Sequence, residues 1–174
     1  MLPPALVFSP SLTLAGVVVG LTLLALSPDS RAGGPEPVEP REIPKQSLDP
    51  TASYKEVDLK KLVADSRTEV PGQRIIFAPS PIKFRATLAA LPAPQKADYL
   101  MTALSMMKVS NPPKVSQRIG LDYGGHKALA AYIDDDIAGR LGKEVKLGQT
   151  RTFYAFHVYN HSRGPALLVT SFAD

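Results

Sequence analysis

Two apolar runs at the C-terminal end constrain this chain more than any other stretch. The first, Thr152 to Tyr159, is rich in β-branched and aromatic residues and is apolar at both parities, which predicts a strand covered on two faces. The second, Ala166 to Phe172, has the length of an antiparallel partner, and the segment Asn160 to Pro165, with Gly164 and Pro165, supplies a break between them. Six of the twelve Phe and Tyr residues, Tyr132, Phe153, Tyr154, Phe156, Tyr159 and Phe172, fall between Lys127 and Phe172. Rings are the largest packers of apolar area, so the core is expected here.

The rest of the chain divides by composition. Residues 5–26 carry no charged side chain, and the densest part, Leu12 to Leu26, has the length of a signal-peptide apolar region, followed by Ser30 and Ala32 in a small-x-small arrangement. Residues 1–32 therefore read as a signal peptide or membrane anchor, with export to the periplasm or the extracellular space expected on cleavage. Without cleavage, residues 5–26 would contact the membrane and tether the protein to it. Residues 33–53, with five prolines among Glu and Lys, read as a semi-extended linker, and 54–174 as a single domain.

Within the domain, Asp58 is placed to cap a short helix carrying Leu59, Leu62 and Val63 on one face. Arg74 to Ala78 reads as a strand. Beyond Pro79 and Pro81, Ile82 to Leu91 reads as another, with Ile82, Phe84, Ala86 and Leu88 facing inward and Lys83, Arg85 and Thr87 outward, ended by Pro92 and Pro94. Gln95 to Lys108 is the strongest helix, with its apolar stripe on Ala97, Leu100, Met101, Leu104 and Met107. Val115 to Leu121 and Lys127 to Ile133 predict a hairpin around Gly124 and Gly125. Ile137 to Leu141 predicts a short helix opened by Asp134, Asp135 and Asp136 and closed by Gly142.

The fold class is thus α+β: a small antiparallel, β-rich domain with one packed amphipathic helix, preceded by the signal or anchor helix and the Pro-rich linker. The order strand, strand, strand, short helix, strand, strand from Ile82 to Phe172 resembles the oligonucleotide/oligosaccharide-binding (OB) fold. In that fold a helix lies between the third and fourth strands of a Greek-key barrel. Lys146 to Thr150, leading into Thr152, resembles the entry to its fourth strand. An open sheet with one packed helix fits the same order. The resemblance implies nucleic acid as one partner class.

Chemistry narrows the reading further. The absence of Cys excludes disulfides, thiolate catalysis and Cys-ligated zinc. No nucleophile elbow, Ser-x-x-Lys pair or nucleotide-binding glycine loop occurs, so no catalytic residue is assigned and no cofactor is expected. His157 and His161 have the spacing of metal ligands on a helix, but on a strand they stand about 13 Å apart, so no metal site is assigned to them. From Gln73 onward thirteen Lys and Arg stand against seven Asp and Glu, which favours an acidic partner. The expectation is an exported or membrane-tethered, non-enzymatic binding or assembly module of the cell envelope. Its basic face would comprise Lys83, Arg85, Lys143, Lys146, Arg151 and Arg163 and would meet an acidic polymer, a lipid headgroup or a protein. The alternatives are a metal-dependent enzyme or metal-binding protein using Asp134 to Asp136 or the histidines, and a nucleic-acid-binding OB-like protein.

Overall fold

The structure is a computed structural model, and it describes residues 46–48, 53–125 and 127–174. The leader, 1–32, and the linker as far as residue 45 lie outside the described residues. In chain order the elements are β1 (Gln46–Ser47), β2 (Lys55–Glu56), α1 (Leu59–Asp65), β3 (Arg74–Pro94), α2 (Asp98–Met106) and β4 (Val109–Ser110). Then come β5 (Gln117–Asp122), β6 (Ala128–Ile133), α3 (Asp135–Glu144), β7 (Thr150–His161) and β8 (Gly164–Ala173). The domain is a β-rich α+β fold. Among the described residues no helix is long and apolar enough to cross a membrane.

The long strand β3 organises the sheet. Its first part, Arg74 to Thr87, runs antiparallel to β7, and from Thr87 to Pro94 it runs antiparallel to β5. The sheet order is β2-β3-β5-β6-β8-β7, and because β3 also pairs with β7, the pairings return to the strand on which they began. The antiparallel expectation holds for the four long ladders, whereas β6–β8, β2–β3 and β1–β4 are parallel. For β6 and β8 the reason is the connection through α3 and β7, which brings the chain back in its original direction. The short β1, within the stretch read as linker, pairs with β4.

The sequence reading splits β3 at Pro79 and Pro81 and ends it before Pro92, and the structure corrects this. A proline breaks a strand only where its missing N–H would have been used. Pro79 falls in the interval between Ile76 and Ser80 where the register with β7 shifts, and Pro92 falls in the shift between Ala90 and Ala93 opposite β5. Gly142 does not close α3, which continues to Glu144. Gly164 and Pro165 are not the break either: they belong to β8, paired with His161 and Asn160, so the turn is only Ser162 and Arg163.

The two-faced character of β7 and β8 is real and explains their composition. Phe153, Ala155, Leu167 and Val169 join Phe84, Leu88, Leu121 and Leu141 in the interior cluster. Phe156, Val158, Ala166 and Leu168 face the other way and bury Leu100 and Leu104 of α2. The helix stripe expected from the sequence is therefore the cover of the sheet's outer face. At its start α1 is capped as expected, with the Asp58 carboxylate accepting from the Lys61 amide at 3.1 Å.

Candidate functional site

A cleft of about 400 Å³ opens where β6 and β8 part company. Their parallel pairing is confined to Tyr132 with Leu168 and Ile133 with Val169. Upstream of that point the strands diverge, and Ala128 to Tyr132 form one wall while Ala166, Ser162 and Arg163 form the other. The start of β3, at Gln73 and Arg74, and Gln95 beyond its end complete the rim.

Three arginines reach this cleft from three separate elements: Arg74 from β3, Arg118 from β5 and Arg163 from the β7–β8 turn. No Asp or Glu lines it, and among the described residues the salt bridges involve none of the three. Arg118 stands directly between Ala93 of β3 and Tyr132 of β6. Arg74 lies over the Tyr99 ring, 3.8 Å from its centroid. Tyr99 in turn meets Tyr159 edge to face at 5.0 Å, and the Tyr159 and Tyr132 hydroxyls are 3.4 Å apart, so the side chains that orient Arg74 form one connected group.

A bulge in β7 decides which histidine joins the site. The register with β8 slips between His157 and Tyr159, which turns Tyr159 toward α2 and carries His161 to the cleft, 5.9 Å from the Tyr159 ring. His157 instead packs edge-on against Phe77 at 4.7 Å, with its Nε2 2.7 Å from the side-chain oxygen Oδ1 of Asn160. His161 Nδ1 accepts the Arg163 amide at 3.1 Å. Burial, then the charges of Arg163 and Arg74, push His161 below its ordinary value, so the ring is neutral at pH 7 and carries its proton on Nε2. Burial and the Tyr132 hydrogen bond hold Tyr159 well above the usual phenol range, which keeps it a neutral hydrogen-bonding group. The Tyr159 proton is used toward Tyr132, so the site offers guanidinium and imidazole donors to an anion.

The residues singled out in the sequence are dispersed. Lys83 and Arg85 lie on the outward side of β3, with Lys83 3.7 Å from Glu56. Lys143 sits in the last turn of α3 and Lys146 just beyond it. Arg151 pairs across from the inward Ala86 and makes an ion pair with Asp174 at 3.3 Å. Arg163 is at the far end of β7 from Arg151, about 33 Å of strand away; of the six, it alone lines the cleft. Arg74 and Arg118 were missed because nothing local distinguishes them. The available signal was the alternation of β5, which puts Ile119 and Leu121 inward and so leaves Arg118 on the opposite, outward face.

Two carboxylates of the Asp134 to Asp136 run make structural hydrogen bonds. Asp134 caps α3, its carboxylate accepting from the Asp136 amide at 2.9 Å. Asp135 accepts from the Ser116 amide at 2.8 Å and the Ser116 hydroxyl at 3.0 Å, tying α3 to the entry of β5. Among the described residues no group of three or more His, Asp or Glu is placed to hold a metal ion.

His157 makes stability pH-dependent. Burial lowers its pKa from the ordinary 6.5, against the smaller raising effect of Asn160. The unfolded chain therefore binds a proton that the native state refuses, and stability falls as pH drops from 6.5 toward the folded value. His161 acts in the same direction. We expect the urea midpoint to fall between pH 8 and pH 5, and His157→Gln to reduce that difference; an unchanged difference would remove the assignment to His157.

No protein-family model matches the chain, and no curated protein matches it.

Proposed function

We propose that this protein is a binding module that holds an anionic ligand in the cleft between β6 and β8. The observation that carries this reading is the convergence of Arg74, Arg118 and Arg163 on one concave site lined by no carboxylate. Like charges are brought together at a cost, and a ligand that neutralises them recovers it; guanidinium forks match carboxylate and phosphate oxygens in pairs. The neutral His161 adds a donor without adding charge. Ser162 and His161 both line the cleft, but among the described residues no hydrogen bond joins the hydroxyl to the imidazole, whose Nδ1 is taken by the Arg163 amide, which favours binding over catalysis.

The pairings β3–β5–β6–β8–β7–β3, with α3 between β6 and β7, support the finer reading of the sheet as a closed OB-like barrel. The cleft then lies beside the second and third barrel strands, on the side where such barrels take ligands. With the leader expected from the sequence of residues 1–32, the reading extends to an exported or membrane-tethered module of the cell envelope that meets an acidic partner.

The test is calorimetric titration with tripolyphosphate. Arg118→Glu is expected to weaken binding at least tenfold, about 1.4 kcal/mol, while Arg85→Glu on the outward side of β3 leaves it within twofold. Equal losses in the two variants would return the site to the basic face proposed around Lys83 and Arg85. No loss in Arg118→Glu would remove the cleft as the binding site.

A further inference from the structure

The same cleft exposes more than charge, because one of its walls is an unfinished strand edge. The Asp134 amide donates to the Val169 carbonyl at 3.0 Å, which fixes the side of β6 that faces β8. Main-chain groups alternate along a strand, and the β5–β6 register is unbroken from Ala128 to Ile133. Tyr132, Ala130 and Ala128 therefore aim their N–H and C=O groups the same way as Asp134. Pairing with β8 ends at Tyr132, so among the described residues Ala128 and Ala130 present main-chain donors and acceptors to the cleft without a strand partner. Both side chains are exposed methyl groups, which leave room for an incoming chain. Along a strand in this position, alternate side chains would face Arg118 and Tyr132 on the outer side, and the others would face Leu129 and Ala131 on the interior side.

We infer that an acidic peptide in extended conformation adds as a strand along β6, its main chain hydrogen-bonded to Ala128 and Ala130 and its carboxylates facing Arg118 and Arg163. This rests on the anion-binding reading of the cleft and assigns the class of partner. Charge complementarity supplies the choice of an acidic segment, and the unpaired edge supplies the choice of a peptide over other anions, since a nucleic acid or a polyphosphate has no amide ladder to offer. The alternation of the two faces adds a sequence preference: carboxylates at every second residue and apolar side chains between them.

The experiment uses the full chain and an eight-residue blocked peptide of alternating valine and aspartate, measured beside two analogues N-methylated at one or the other alternate set of amides. Unmodified peptide is expected to bind, and one of the two methylated sets to weaken it at least tenfold. Ala130→Pro should produce a loss of the same size, because it deletes an N–H on the open side and leaves the β5 ladder intact. The methylated peptides keep the test decisive if that variant does not fold. Equal binding of all three peptides, with Arg118→Glu still abolishing it, would overturn strand addition and leave the anion cleft standing. Tighter binding of an eight-residue oligothymidylate than of the peptide would assign the cleft to single-stranded nucleic acid and overturn the proposal. Dimerisation of the wild type that is lost in Ala130→Pro would give the edge to a second copy and overturn it as well. Failure of tripolyphosphate and peptide alike would remove both readings.

Discussion

Replacing Phe153 with alanine is expected to destabilise the domain by about 3–5 kcal/mol, the range for truncating a fully buried aromatic side chain. For a domain of this size that is a drop in unfolding midpoint on the order of 10–20 °C. Phe153 is fully buried and lies in one row across three strands: Phe84 of β3 is directly opposite on one side, and Phe172 of β8 on the other. The Phe84 and Phe153 rings are stacked with centroids 6.1 Å apart. Removing the central ring leaves a cavity bounded by two ladders that cannot collapse without breaking their own hydrogen bonds. Phe172→Ala, at the half-buried end of the row, should cost less than half as much. Thermal unfolding followed by circular dichroism separates the two, and similar midpoints would show that the interior is not centred on Phe153.

Gly164→Val is expected to cost about 2–4 kcal/mol, combining backbone strain with overpacking. Gly164 has φ +124°, and a Cβ added there would lie 3.3 Å from Val63 Cγ1 and 3.5 Å from the Val63 carbonyl oxygen. Val63 is itself buried in α1, so it has little room to retreat. Gly72 also has a positive φ, of +81°, but open space around it, so Gly72→Ala isolates the backbone cost, about 1 kcal/mol. The expected order of urea midpoints is wild type, Gly72→Ala, Gly164→Ala, Gly164→Val, from highest to lowest. Because Gly164 follows Arg163, the valine variant should also weaken tripolyphosphate binding, whereas Gly72→Ala tests whether the rim alone has that effect. A midpoint for Gly164→Val within that of Gly72→Ala would show that α1 does not pack tightly on the start of β8.

Much of the fold was legible because its signals are local. The Asp58 and Asp134 caps, the Gly124 and Gly125 turn, the Leu100 and Leu104 stripe and the alternation from Ile82 to Leu88 each depend on residues within a few positions of one another. The both-sided apolar character of Thr152 to Tyr159 correctly signals a strand between two layers. Reading failed at Pro79, Pro81 and Pro92, where local chemistry says stop. Whether a missing N–H matters depends on a partner strand far away in sequence: β3 shifts register at Pro79 and Pro92, while Pro81 stays in the ladder opposite Phe156. The basic set failed for a related reason, since net charge along the chain carries no information about which guanidinium groups converge.

Periodicity, caps and turn residues by themselves determined that this chain makes a β-rich domain with one packed amphipathic helix and a C-terminal pair of strands, because those preferences act over one helical turn or one strand repeat. Only the tertiary structure decided that β3 would join β5 to β7, that β6 and β8 would separate above Tyr132, and that Arg74, Arg118 and Arg163 would meet in the gap. Those outcomes depend on hydrogen-bond registers between segments tens of residues apart, and a slip of one position would turn each arginine to the opposite face.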